Sequence, residues 1–218
     1  MTKKMVIFDL DGTLLDTIKD LAISTNKALE RHHFKTHPIE DYKYFVGDGI
    51  NKLIERALPK EHRDNQTIDK VKKVFVDYYN KHLTEYTKPY EGVMELLSQL
   101  QVKNKYLAIV SNKPDEQTQL LVKECLKGVP FIYVTGNKPG ILHKPDPYAL
   151  YEAIHRVGVS KEEVLYVGDS GVDMQTANNA KVTGVGVTWG FRTREELMLN
   201  GAYAIVDEPG SIMALLDK

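Results

Sequence analysis

The chain predicts an α/β fold: a doubly wound parallel sheet carrying an all-helical insertion. Three observations lead there. Short apolar runs rich in β-branched and aromatic residues recur and end in Gly, Ser or Asp. From Gly92 onward these runs alternate with helix-like segments. Between the first run and Lys88, by contrast, every patterned segment is helix-like. Runs without polar–apolar alternation suit strands buried on both faces, the condition of a parallel sheet. The intervening helices supply the crossovers that such a sheet needs.

Taken in order, MVIFD from Met5 is the first expected strand. Helix-like segments follow at 16–32, 38–45, 49–58 and 68–83. Pro38 suits a first helical turn, and Asn65 and Thr67 suit N-caps. KPYEG at 88–92 reads as the hinge by which the chain returns. Strands are then expected at 106–112, 131–136, 164–170, 184–190 and 202–206, with helices at 92–100, 115–126 and 146–158. The expected organisation is a Rossmann-like core of residues 1–15 and 88–218, interrupted by a helical cap at 16–87. No internal repeat or low-complexity tract breaks this plan.

With 218 residues, 42% hydrophobic and 27% charged, the chain is long enough to bury a sizeable core. The formal net charge of −1 provides no strong field for nucleic acid or an anionic membrane. The single cysteine, Cys125, excludes an internal disulfide and fits a reducing compartment. Asp9 interrupts the N-terminal apolar run too early for a signal sequence, and no stretch approaches the ~20 apolar residues of a membrane span. A cytoplasmic monomer or homodimer acting on a small molecule is the expectation.

Ligands of open parallel sheets bind beyond the carboxyl ends of the strands. The expected strand ends carry Asp9 and Asp11, Ser111 and Asn112, then Asp169 and Asp173. Lys144, within HKPDP, follows the strand at 131–136. Four acids beside one such cation repel one another. A hard divalent cation, Mg2+, resolves this, because it prefers oxygen ligands and keeps positions for water and phosphate. Lys144 supplies a compact charge for an anion. The Ser111 hydroxyl and the Asn112 backbone N–H can donate to phosphate oxygens. Each member alone has a plainer reading: Asp11-Gly12 as a turn, Ser111-Asn112 as a helix cap, Lys144 as a solvated lysine, Asp173 as a cap. Their joint order on successive strand ends is what points to a metal-and-anion site.

DLDGTLLDT, VSNK, HKPDP and GDSGVDM resemble, in that order, the four motifs of the haloacid dehalogenase-like superfamily of aspartate-nucleophile phosphohydrolases. The resemblance covers nearly the whole chain, and the helical insertion resembles that superfamily's helical cap. Residues 42–58 and 189–197 are similar to phosphoglycolate phosphatase-like members. The resemblance implies that Asp9 is the nucleophile and Asp11 the general acid/base. It implies that Ser111 and Asn112 bind the transferring phosphoryl group and that Lys144 steadies both that group and Asp9. Asp9, the Asp11 backbone carbonyl and Asp169 are then the Mg2+ ligands, with Asp173 in support through water.

The implied activity is a Mg2+-dependent phosphatase of small phosphate monoesters acting through an aspartyl phosphate, with 2-phosphoglycolate as first substrate. Sugar-phosphate mutase and pyrophosphatase remain alternatives within the superfamily. Asp11 argues against a dehalogenase, which has no need of that acid/base. A receiver-like phospho-acceptor module is the alternative from another class; the large helical insertion and the acids after Lys144 argue against it. At its ordinary pKa of about 3.9 Asp9 is expected to be ionised and ready to attack. A cap is expected to exclude water and read the leaving group. Residues 46–49 (VGDG) are read either as facing the core or as an ordinary inter-helix turn. Arg192 is read as a solvated surface arginine, with a substrate carboxylate as the alternative partner. His32, His33 and His37 lack metal-ligand spacing.

Overall fold

The structure, a computed structural model, describes residues 2–217. Strand β1 (Met5–Phe8) leads through the two-residue strand β2 (Leu15–Asp16) into four helices. These are α1 (Ile18–Arg31), α2 (Tyr42–Phe45), α3 (Ile50–Ala57) and α4 (Asn65–His82). The chain returns through the short β3 (Lys88–Pro89), and helices and strands then alternate. That series runs α5 (Val93–Val102), β4 (Tyr106–Pro114), α6 (Asp115–Cys125), β5 (Phe131–Asn137), α7 (Tyr148–Val157) and β6 (Val164–Gly168). It closes with α8 (Gly171–Ala180), β7 (Thr183–Val187), α9 (Arg194–Leu199) and β8 (Ala204–Val206). The chain divides into two compact units. One holds the residues up to Asp16 and those from Pro89 onward, and the other is Thr17–Lys88.

The first unit contains a six-stranded sheet in the order β5-β4-β1-β6-β7-β8, with every neighbouring pair parallel. All six strands lie where the apolar runs place them. Met5, Val6 and Ile7 are fully buried, as a central parallel strand with both faces covered must be. Winding proceeds from β1 through β4 to β5, then resumes on the other side of β1 with β6. The reversal leaves a crevice beyond the carboxyl end of β1, the position at which doubly wound sheets bind ligands. One face of the sheet forms a continuous core in which Met5, Ile7, Val110 and Tyr166 meet Leu150 and Ala153 of α7 and Ala177 and Ala180 of α8.

The second unit is helical. α1 buries Ile18, Leu21, Ala22, Thr25, Ala28 and Leu29, and α4 buries Ile68, Val71, Phe75 and Tyr79. Both sets have the three-and-four spacing of an amphipathic helix, and the two helices pack together. The expected caps need correction. Asp64 caps α4, its carboxylate accepting the Thr67 N–H at 3.0 Å and the Thr67 hydroxyl at 2.7 Å. Asn65 and Thr67 therefore lie inside the first turn, because the acid one position earlier is the stronger acceptor. Pro38 stands just before a single 3₁₀ turn (Ile39–Asp41) rather than within it. The loop at 46–49 uses Gly47 and Gly49 at positive φ, and its Asp48 is ion-paired with Arg56 of α3. Among the described residues, no helix is long and apolar enough to cross a membrane.

Asp20 stitches this unit together. Its buried carboxylate accepts the Thr87 N–H at 2.8 Å, the Thr87 hydroxyl at 2.7 Å and the Tyr86 N–H at 3.1 Å. Truncating it removes the acceptor from donors that folding has already desolvated, a loss of about 2–3 kcal/mol. Asp20→Ala is expected to lower stability by that amount in urea denaturation followed by circular dichroism, whereas Asp20→Asn, which keeps an acceptor oxygen, loses less.

Candidate active site

The carboxyl edge of the sheet is assembled by strand register. β1 pairs with β6 so that Phe8 lies beside Val167, and the Asp9 N–H extends the ladder to the Val167 carbonyl at 2.9 Å. Asp9 and Asp169 thus leave adjacent strand ends. Beyond Asp9 the chain turns back on itself, with the Leu14 and Leu15 N–H groups bonded to the Leu10 carbonyl at 3.0 Å. Gly12, at φ +83°, makes that turn possible, and a Cβ there would collide with the Asp169 carboxylate and the Phe191 ring. A Cβ on Gly190 would meet the Gly12 carbonyl and Asp169 from the other side. Two glycines therefore let three segments close around one carboxylate. Asp169 accepts the Phe191 N–H at 2.7 Å and the Thr13 hydroxyl at 3.4 Å.

Lys144 is buried, not solvated: 4% of its side chain is exposed. Its Nζ lies 2.8 Å from Asp9 Oδ1 and 2.7 Å from Asp173 Oδ1. The side chain of Asn112 holds this lysine from behind, accepting the Lys144 N–H at 2.8 Å and donating to the Lys144 carbonyl at 3.2 Å. Asp173 is at once a cap and a site residue. Its Oδ2 accepts the Ser170 N–H at 3.1 Å and the Ser170 hydroxyl at 2.7 Å, forming a capping box at the start of α8. Its Oδ1 accepts Lys144 and, at 2.9 Å, the hydroxyl of the fully buried Tyr166. Four donors fill the capacity of the carboxylate.

Two site residues have no role in the sequence expectations, Lys113 and Tyr166. Lys113, the last letter of VSNK, carries a second cation into the site and pairs with both oxygens of Asp11, at 3.1 and 3.2 Å. Its backbone N–H donates to the Ser111 hydroxyl oxygen at 3.2 Å. The signal for both was present, a lysine and a tyrosine inside runs otherwise bound for the core. All seven expected residues, Asp9, Asp11, Ser111, Asn112, Lys144, Asp169 and Asp173, stand at this edge.

The electrostatics correct two expectations. Asp9 does not keep an ordinary pKa. Burial pushes it up to about 7; Lys144 pulls down against this, and Asp173 adds to it. Asp169 is likewise held well above the carboxylate range by burial, then by Asp173 and Asp9, with the Phe191 N–H and Arg192 opposing. For Lys144, burial disfavours the charge, but Asp173 and Asp9 outweigh it and hold the pKa well above that of an ordinary lysine. Arg192 is not a solvated surface residue. Only 11% of its side chain is exposed, its Nε is 3.4 Å from Glu196 Oε1, and it contributes to the field at Asp169.

The donor set fits a small hard cation. Asp9, Asp169 and Asp173 each offer a carboxylate oxygen within 4.8 Å of the others, the one such group among the described residues. Asp9 Oδ1 is buried, with the Lys144 ammonium 2.8 Å away. Since Asp173 is saturated by its four donors, Asp9 and Asp169 are the acids left to ligate. Oxygen donors of this kind suit Mg2+.

Comparison with known proteins agrees with this geometry. The family model described as haloacid dehalogenase-like hydrolase matches residues 6–187. A phosphoglycolate phosphatase of Mesorhizobium japonicum is 33% identical over 196 residues, covering 89% of this chain and 86% of the relative. One from Mannheimia succiniciproducens is 34% identical over 195 residues, covering 86% and 87%. Among solved structures, a candidate phosphoglycolate phosphatase from Lactobacillus delbrueckii superposes with a TM-score of 0.94 at 34% identity, covering 100% of this chain and 99% of that one. The buried acids at the ends of β1 and β6, the lysine between them and a match over most of the chain lead to one assignment: the chain belongs to the haloacid dehalogenase-like hydrolase family.

Proposed function

We propose that the protein is a Mg2+-dependent phosphatase of small phosphate monoesters that works through an aspartyl phosphate on Asp9. The observation that carries this is Asp9 itself, a buried carboxylate at a strand end, 2.8 Å from the Lys144 ammonium and grouped with Asp169 and Asp173. In the first step an Asp9 oxygen bonds to phosphorus while the ester P–O bond breaks, and Asp11 gives its proton to the departing alkoxide. In the second step a water oxygen bonds to phosphorus, its proton passes to Asp11, and the bond from Asp9 to phosphorus breaks, releasing inorganic phosphate. The Ser111 hydroxyl, the Asn112 N–H and Lys144 would bind the phosphoryl oxygens, where charge builds in the transition state. Asp9, Asp169 and the Asp11 carbonyl would hold Mg2+, which supplies charge neutralisation between the carboxylate and the phosphate.

The names of the relatives at 33–34% identity support 2-phosphoglycolate as the substrate. We assign the choice among esters to the helical unit, because the phosphoryl chemistry is common to all of them. The same chemistry and the single cysteine suit a reducing cytoplasm.

The direct test combines a substrate panel with acid-quenched labelling. Wild type is expected to release phosphate from 2-phosphoglycolate faster than from hexose phosphates or pyrophosphate; the reverse order would reassign the substrate. Asp9→Asn should show neither turnover nor phosphoenzyme. Asp11→Asn should still be labelled by an aryl phosphate, then hydrolyse slowly, about 10²–10⁴-fold below wild type. Label on any residue other than Asp9 would overturn the mechanism.

A second test follows from the raised carboxyl pKa values. A carboxyl at about 7 in the fold and about 3.9 in the unfolded chain stabilises the cation-free protein below the lower value. That contribution is lost as pH rises towards 7. A bound cation displaces the proton, so its effect grows with pH. Mg2+ should raise the melting temperature more at pH 8 than at pH 6, and Asp169→Asn should abolish most of the increment.

A further inference from the structure

We propose that Lys113 is the positioning residue for Asp11, a role that rests on reading Asp11 as the acid/base of the proposed phosphatase. Three features of the pair carry it. Lys113 Nζ straddles the carboxylate, 3.1 Å from one oxygen and 3.2 Å from the other. Contact with both oxygens holds the whole carboxylate group in place against the ammonium. The lysine is also the more deeply buried partner, with 3% of its side chain exposed against 20% for Asp11. Burying an ammonium is costly unless it is paired, so this charge is retained for what it contacts. Finally, Lys113 is anchored at its own backbone, whose N–H donates to the Ser111 hydroxyl oxygen at 3.2 Å. The strand end that presents the phosphoryl-binding pair thus also presents the group that aims Asp11.

Asp11 must hand a proton to the leaving oxygen in the first step and take one from water in the second, and both transfers depend on its aim. Misplacing a positioned group by about 1 Å costs on the order of 10²-fold. The Lys113 side chain acts on the reaction through that carboxylate, so its removal should be felt most in the steps where Asp11 is needed. This separates the proposal from a purely structural ion pair, whose loss would scale every substrate alike.

The experiment compares wild type, Lys113→Met, Asp11→Asn and the double variant on 2-phosphoglycolate and on p-nitrophenyl phosphate, with rapid quench to follow the phosphoenzyme. For Lys113→Met on the alkyl ester, kcat should fall about 10–100-fold with KM nearly unchanged. On the aryl ester, whose leaving group needs little protonation, the phosphoenzyme burst should persist at close to the wild-type rate and only the later hydrolysis should slow. In the Asp11→Asn background, Lys113→Met should cost nothing more, because residues acting as one unit are not additive. Where Lys113→Met alone is too unstable to assay, the double variant compared with Asp11→Asn still reads whether losing Lys113 costs anything once Asp11 is gone. Additive losses in the double variant, or equal slowing of both bursts, would overturn the role of Lys113 while leaving the phosphatase intact. A wild type inert towards both esters would overturn the phosphatase reading and this role with it.

Discussion

The charge of Lys144 is the constraint on which the rest of the site depends. Asp9, Asp169 and Asp173 are all buried at one sheet edge. Carboxylates taken out of water and crowded together strongly favour the neutral form. Lys144 reaches two of them at 2.7–2.8 Å and offsets part of that cost. Its own burial is tolerated because Asn112 holds its backbone from one side while Tyr166 and Ser170 fix Asp173 on the other. Breaking such a pair from one side leaves an uncompensated charge, typically a loss of about 3–5 kcal/mol. The fold and the site are therefore stabilised by the same contacts.

The acids do not share one positive charge. Asp9 and Asp173 take Lys144, Asp11 takes Lys113, and Asp169 relies on the Phe191 N–H, the Thr13 hydroxyl and the field of Arg192. Each carboxylate thereby meets a different environment, which is how chemically identical side chains come to play different parts. Asp173 is spent on positioning. Asp9 shares Lys144 with Asp173 but not the Tyr166 and Ser170 donors that fill Asp173, and that asymmetry distinguishes the two acids.

Glycine placement shows how closely the backbone is drawn in. Gly12 and Gly190 meet across Asp169 with no room for a methyl group on either. In the sequence, Asp11-Gly12 reads as a turn and Trp189-Gly190 as the end of a strand. Here they set the distance between two strand ends, and the carboxylate geometry follows from that distance.

Much of this was legible in the chain alone. The four inner strands were readable because strands buried on both faces are unbroken apolar runs, the less buried edge strands β5 and β8 by their β-branched and aromatic content, and the order of polar residues at the strand ends placed the seven candidate residues on one edge. Local signals of this kind depend only on neighbours in sequence. Caps were readable only to within a residue or so, since Asp64, Asn65 and Thr67 all have capping side chains and only geometry selects Asp64. What tertiary structure alone decided was partnership and burial. Lys113 and Asp11 are 102 residues apart, so no local pattern announces their pairing. Arg192 looked like a surface residue until the chain folded around it. The pKa of Asp9 moved to about 7 because desolvation is a property of the assembled core. Residue types and strand order are written along the chain, whereas the electrostatic identity of each acid depends on what the fold brings beside it and how much water it takes away.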